Sequence, residues 1–238
     1  MPSTIKSLKT PLRYPGGKSR AVVKLFQFFP DLSTYREYRE PFLGGGSVAI
    51  EVTKKYPDIE VWVNDLYEPL YNFWCELQHN GSEMQKELVN LKGVHCNPDS
   101  ARCLFQSMKD VINDPEESKV GRAVAFYIVN KCSFSGLTES SSFSEQASES
   151  NFSLRGIQRL SEYQELIQSW VITNLSYERM LSDEKNVFTY LDPPYDIKDN
   201  LYGKKGGMHK RFDHDQFASD CDTFTSPMLI SYNSSQLV

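Results

Sequence analysis

Residues 187–195 read Val-Phe-Thr-Tyr-Leu-Asp-Pro-Pro-Tyr, an apolar, β-branched and aromatic run that ends in one acid, two prolines and a phenol. Each proline lacks an N–H and fixes its own φ, so Pro193 and Pro194 stop a strand and hold the backbone after Asp192 in a rigid, extended turn. Asp192 and Tyr195 are thereby held in one relative geometry. A planar substrate with an amino group fits such a corner. The carboxylate accepts one hydrogen, the Pro193 carbonyl accepts the second, and the Tyr195 ring stacks on the plane. A strand followed by an ordinary proline turn explains the prolines but not the acid and ring that flank them.

Two further stretches carry chemistry. In Glu40-Pro41-Phe42-Leu43-Gly44-Gly45-Gly46-Ser47-Val48 a glycine cluster follows a strand and opens a helix. Backbone can approach a ligand closely there and helix amides point at it, so a nucleotide-like cofactor is expected. The spacing is not G-x-G-x-x-G, which argues against a nicotinamide cofactor. The next strand ends in Asn64-Asp65, where an acid can accept both hydroxyls of a ribose or, alternatively, cap the helix before Pro69. Arg13-Tyr14-Pro15-Gly16-Gly17-Lys18-Ser19-Arg20 imitates a P-loop in its tail, but Leu12 stands where a P-loop needs glycine. It leaves an aromatic ring, a glycine turn and a lysine that can bind a carboxylate, or else an ordinary loop before an amphipathic helix.

These stretches need a scaffold that gathers them. Strands are expected at 38–42, 60–65, 170–175, 187–192 and 228–233, alternating with helices at both ends of the chain. From about 81 to 170 the strands give way to helical patterns: Ser82–Lys92, Pro98–Ile112 and Lys119–Cys132 read as helices, and the Ser- and Glu-rich 133–153 as a loop or hairpin. The expected class is α/β, with a doubly wound, mostly parallel sheet interrupted by a helical insertion between its second and third strands. Residues 1–80 and 170–238 form the sheet portion and 81–169 the insertion. Sheets of this kind hold ligands at the carboxyl ends of their strands, where all three stretches fall.

Composition narrows the class further. In 238 residues, 39% of them hydrophobic, there is enough apolar matter for a sizeable core. No apolar run approaches the roughly 20 residues that span a bilayer, and the first residues have no signal-peptide core, so an intracellular protein is expected. Five scattered cysteines form no C-x-x-C pair, and neither a disulfide framework nor a metal site is expected. The net charge of −5 argues against a polyanionic partner, but basic residues crowd 6–24 and 204–211, and a local basic face is what nucleic acid needs. A solvated charged surface would look the same.

Taken together and in this order, these stretches resemble the Dam-like family of adenine-N6 DNA methyltransferases. Arg13–Lys18 matches its N-terminal cofactor motif, Glu40–Val48 its glycine motif, Asn64-Asp65 its ribose-binding acid and Asp192–Tyr195 its catalytic motif. Residues 129–138 are similar to the start of its DNA-reading region and 230–234 to its late strand. The resemblance implies a Rossmann-like methyltransferase fold, with S-adenosylmethionine as donor and double-stranded DNA as substrate. It implies catalysis by Asp192, Pro193, Pro194 and Tyr195. The cofactor would be held by Tyr14, Gly16, Gly17, Lys18, Glu40, Pro41, Phe42, Gly44, Gly46, Asp65, Ser176, Tyr177 and Asp192. Relatives carry an acid before the adenine-packing aromatic, where this chain has Ser176, which can still accept one hydrogen bond.

In this picture the insertion reads the DNA through Lys131, Ser133, Ser135 and Arg155, or is instead a helical cap. Lys204, Lys205 and Lys210 belong to a basic loop that closes on substrate, or to a surface linker. The wording of 130–138 is closer to relatives that modify short palindromes such as CATG than to GATC enzymes. A restriction endonuclease acting on the same site is an implied counterpart, and monomer and dimer stay open. Relatives continue past the late strand, so a smaller sheet or a shortened chain is expected. Other readings are methylation of an amino group in RNA or protein, a catalytically silent DNA-binding module and, more remotely, a nucleotide hydrolase.

Overall fold

The computed structural model describes residues 7–14, 16–136, 141–195 and 212–232. Five parallel strands, β1 (Glu37–Glu40), β2 (Glu60–Asn64), β3 (Val171–Thr173), β4 (Val187–Leu191) and β5 (Met228–Ile230), form one sheet in the order β3-β2-β1-β4-β5. The order reverses between the central strand β1 and its neighbour β4, so their carboxyl ends open side by side. The parallel α/β sheet is the one expected from the alternation, and it agrees with the Rossmann-like fold that the resemblance implies.

A parallel strand buried on both faces is ordinarily an apolar run, and β4 is one. Strand β1 is equally buried but reads Glu-Tyr-Arg-Glu. Its charges are answered locally: Arg39 Nε meets Glu37 Oε1 at 2.5 Å and lies over the Trp62 ring, while the Tyr38 hydroxyl donates to Glu40 Oε2 at 2.7 Å.

The helices are α1 (Val22–Leu25), α2 (Ser47–Lys55), α3 (Glu68–Val94), α4 (Pro98–Val111), α5 (Lys119–Cys132), α6 (Glu145–Ser150), α7 (Leu154–Gln158), α8 (Leu160–Leu166) and α9 (His214–Thr223). Helices α4 to α8, with most of α3, make the insertion between β2 and β3. Two expectations change. The helix expected at 82–92 is the second half of one longer helix, α3, kinked at Asn80. The Asn-Gly pair that signals a turn is overridden because the Gln164 amide patches the gap, donating to the His79 carbonyl and accepting from the Ser82 N–H, both at 3.0 Å. The stretch read as loop also contains α6, capped by the Ser144 hydroxyl, and an isolated bridge between Ser133 and Phe143.

One continuous apolar core joins sheet and insertion, from Leu32, Tyr38 and Phe188 through Trp74 and Phe73 to Leu104, Phe126 and Leu160. Trp74 is its hinge point. Its indole donates to the Gly44 carbonyl at 3.1 Å, and its ring fills the space in front of Gly46. Gly46 has φ 68°, and a Cβ there would lie 2.6 Å from Trp74 Cζ2. Gly46→Ala should therefore destabilise the fold by about 2 kcal/mol or more, from left-handed backbone strain and overpacking together. Urea unfolding checks this, and a variant of unchanged midpoint would contradict it.

Candidate active site

A cleft of ≈ 290 Å³ opens at the carboxyl ends of β1, β2 and β4. Its floor includes Glu40–Gly45 from the β1 loop, Asn64-Asp65 from β2, Leu175–Glu178 after β3 and the whole Asp192–Tyr195 turn. The strap that carries Tyr14, Gly16, Gly17 and Lys18 forms one wall, and Phe212, Asp213 and Gln216 at the start of α9 form another. All three sequence stretches thus face one space.

Of the residues expected at a catalytic or cofactor site, Gly46 is the one that does not line the cleft, since it faces Trp74 instead. Sequence reasoning passed over Asn64 as a site residue, although it is the stitch of the floor. Its amide donates to the Pro41 and Leu175 carbonyls at 3.0 and 2.9 Å, while its Oδ1 accepts from the Leu175 N–H at 2.7 Å. An asparagine after a strand carries no signal of such a role. Phe212 and Gln216 were also missed, because nothing local to their sequence points at the cleft.

At the Asp192 corner, Lys18 Nζ lies 2.5 and 2.7 Å from the two carboxylate oxygens, and donates to the Tyr195 hydroxyl at 2.7 Å and the Gly16 carbonyl at 3.0 Å. The Tyr195 hydroxyl also reaches Asp192 Oδ1 at 2.9 Å. Both ends of the ion pair are mostly shielded, with 14% and 19% of each side chain exposed. Burial alone would lower the Lys18 pKa, but Asp192 and Tyr195 overcome it and hold the ammonium above its ordinary value. Lys18 thus stands on the catalytic-motif acid, not free for a distant carboxylate.

At the glycine turn, Asp65 Oδ2 accepts from the Gly44 N–H at 2.8 Å and Oδ1 from the Tyr67 N–H at 3.0 Å, so the acid also caps the start of α3. A carboxylate offers about four lone-pair sites, which leaves two for a ligand. Burial raises the Asp65 pKa to about 6 against those two bonds. Burial likewise lifts Glu40 to about 8 against its bond from Tyr38, with the charge of Asp192 adding to the rise.

Beyond β3, Tyr177 packs with Phe42, Phe212 and Phe217 at ring-centroid distances of 5.4–5.8 Å and donates to Asp220 Oδ2 at 2.6 Å. The Ser176 hydroxyl donates to the Glu178 carboxylate. An acid therefore stands one residue after the aromatic in this cleft, where relatives were expected to carry it one before.

The expected DNA contacts are dispersed. Arg155 is exposed on α7. Lys131 lies over the Tyr127 ring at 5.3 Å, its pKa lowered to about 8 by burial and then by Arg13. Ser133 is fully buried, its hydroxyl donating to the Asn130 carbonyl at 3.1 Å. Ser135 lies in the turn Phe134–Gly136. Lys204, Lys205 and Lys210 fall outside the described residues.

A family model described as D12 class N6 adenine-specific DNA methyltransferase matches residues 14–238. The chain belongs to that family. A relative named Type II methyltransferase M.MjaIII, from Methanocaldococcus jannaschii, is 24% identical over 198 residues, covering 77% of this chain and 68% of the relative. The protein is therefore a site-specific, adenine-specific DNA methyltransferase, and a methyl donor and DNA are its substrates. No helix of the described residues is long and apolar enough to cross a membrane.

The cleft of this methyltransferase suits a cationic donor. Among its described lining residues are five acids (Glu40, Asp65, Glu178, Asp192 and Asp213) and one base, Lys18, which already faces Asp192. The raised Glu40 pKa has a measurable consequence. The folded protein holds a proton that the unfolded chain, ordinary value 4.5, gives up. Glu40's contribution to stability is full below about pH 4.5 and is lost as pH rises through about 8. Glu40→Gln should flatten that part of the stability curve in urea titrations run from about pH 5 to about pH 9. An unaltered slope would show that Glu40 does not titrate in this window.

Proposed function

We propose that the chain transfers a methyl group from S-adenosylmethionine to the N6 amino group of an adenine turned out of duplex DNA, at a short palindromic site. The single observation that carries this reading is that the Asp192–Tyr195 corner and the Gly44-Gly45 turn open into one cleft. A donor held at the second and an amino group held at the first would be neighbours.

When bound, S-adenosylmethionine supplies an electrophilic methyl carbon on a sulfonium. The ionised acids of the cleft attract its positive charge, Asp65 offers its remaining lone pairs to the ribose hydroxyls, and Phe42 and Tyr177 offer ring faces to its adenine. Ser176 and Glu178, already joined, are the polar groups beside those rings.

The amino group of adenine is a poor nucleophile because its lone pair is delocalised into the ring. Asp192 and the Pro193 carbonyl, each accepting one amino hydrogen, favour a pyramidal nitrogen whose lone pair is free to attack. The nitrogen gains the methyl group and sheds one proton, which Asp192 can accept. Lys18 favours the anionic form of that carboxylate, and Lys18 and Tyr195 together leave about one of its lone-pair sites for the amino hydrogen. Catalysis by orientation and preorganised charge of this kind can supply about 7 to 11 kcal/mol.

A stacked adenine cannot reach Asp192, so extrusion is required, at a few kcal/mol of unstacking. Tyr195 recovers part of that by stacking. The insertion, 81–169, serves as the target-reading part, with Lys131, Ser135 and Arg155 as its contacts, while Ser133, being buried, does not reach the duplex. Lys204, Lys205 and Lys210 add contacts to phosphates. Since the named relative is a type II methyltransferase, a restriction endonuclease reading the same sequence is the expected counterpart.

Expression in a host without DNA methylation, followed by sequencing that detects N6-methyladenine, should reveal one short modified motif. Asp192→Ala should lower the transfer rate by at least about 100-fold while the affinity for S-adenosylhomocysteine changes by less than about 3-fold. Normal methylation by this variant would refute the assigned chemistry.

A further inference from the structure

The strap that walls the cleft and the loop after α5 are distant in sequence, and one side chain binds them. Asn130 is fully buried at the end of α5. Its Oδ1 accepts from the Arg13 N–H at 3.0 Å, and its Nδ2 donates to the Arg13 carbonyl at 2.6 Å and the Gly136 carbonyl at 2.8 Å. Both amide hydrogens are therefore spent on backbone, one on each side of the junction. Arg13 Nη1 adds a bond to the Ser133 carbonyl at 2.8 Å. Gly136 has φ 74°, and a Cβ there would stand 2.5 Å from Arg13 Cβ, so strap and loop touch closely.

The same strap then runs on to Tyr14, Gly16, Gly17 and Lys18, which line the cleft, and Lys18 ends on Asp192. Parting the strap from the loop would leave two carbonyls and one N–H without partners in a buried place, which is costly enough to make the two move as one piece.

We propose that Asn130 is a positioning residue that couples the two substrate sites. Engagement of duplex DNA by the turn Phe134–Gly136 after α5 is passed through Asn130 to the strap, so that bound DNA alters the affinity for the methyl donor and, reciprocally, the donor alters the affinity for DNA. The inference rests on the function proposed above, in which that loop meets the duplex. Neither the Asp192 chemistry nor the glycine turn requires it, since a strap held rigidly by other contacts would give independent sites.

The test is initial-rate kinetics of tritiated methyl transfer to plasmid DNA from a methylation-deficient host, with donor and DNA varied together. The wild-type chain should show an interaction factor at least about 5-fold from unity. Asn130→Ala, and separately Arg13→Met, which removes the bond to Ser133 and the positive charge near Lys131 but keeps the backbone bonds to Asn130, should bring that factor toward unity. Affinity for S-adenosylhomocysteine without DNA, measured by calorimetry, should stay within about 3-fold. If Asn130→Ala does not bind the analogue, Arg13→Met decides by the same criterion. A wild-type factor of unity, or an unchanged factor in the variant that decides, overturns the proposal. A wild-type chain that methylates no plasmid adenine would instead sink the function it rests on.

Discussion

One pair of adjacent parallel strands imposes the constraint from which the site follows. Strands β1 and β4 run side by side and end in Glu40 and Asp192, so two acids are brought together at the buried mouth of one cleft. Burial raises the cost of ionising Glu40, and the nearby charge of Asp192 adds to it. A single ammonium, from Lys18, answers Asp192, while Glu40 has the Tyr38 hydroxyl. Because a buried charge is tolerable only when paired, the strap carrying Lys18 must be held where it is. Several bonds do this work: Thr10 donates to the Gly45 carbonyl at 2.5 Å, Lys54 donates to the Leu8 carbonyl at 2.8 Å, and Asn130 clasps Arg13.

This explains why the helical insertion is no appendage. Trp74, on the helix that leads into it, supports the glycine turn through its indole, and Asn130, near its middle, supports the strap. A reader of DNA built on a separate, flexibly tethered domain could find its target without touching either. Here one apolar core runs from the sheet through Trp74 into the insertion, so the two are packed together.

What could be read from the sequence was what is local. The proline corner and the glycine turn announce themselves because one restricts φ and the other needs freedom from a Cβ, and both constraints act within a few residues. The strand alternation and the placement of the insertion follow from periodicity, which is also local. A separate helix was expected from Ser82, but α3 runs through because Gln164, more than eighty residues away in sequence, bridges the kink at Asn80-Gly81. Ser133 reads as an exposed polar residue in a loop, but the bridge to Phe143 and the strap cover it completely. Lys18 was visible as a lysine able to bind a carboxylate. That the carboxylate belongs to Asp192 depends on strand order, which no stretch of sequence displays.

The charge of the cleft and the charge of the substrate pose opposite demands. A sulfonium donor is drawn to an acid-lined space, whereas a phosphate backbone is repelled by it, and a chain with a net charge of −5 adds to the repulsion. The two are reconciled if the backbone stays outside, against the basic residues of strap and insertion, and only the base enters. An adenine carries no charge, so it can approach Asp192 without the penalty a phosphate would meet. Its amino hydrogens are donors, and Asp192 and the Pro193 carbonyl are both acceptors. On the proposed function, the acid-rich lining that would attract the donor would also be a filter that admits a neutral, donor-edged base and excludes the polyanion to which it is attached.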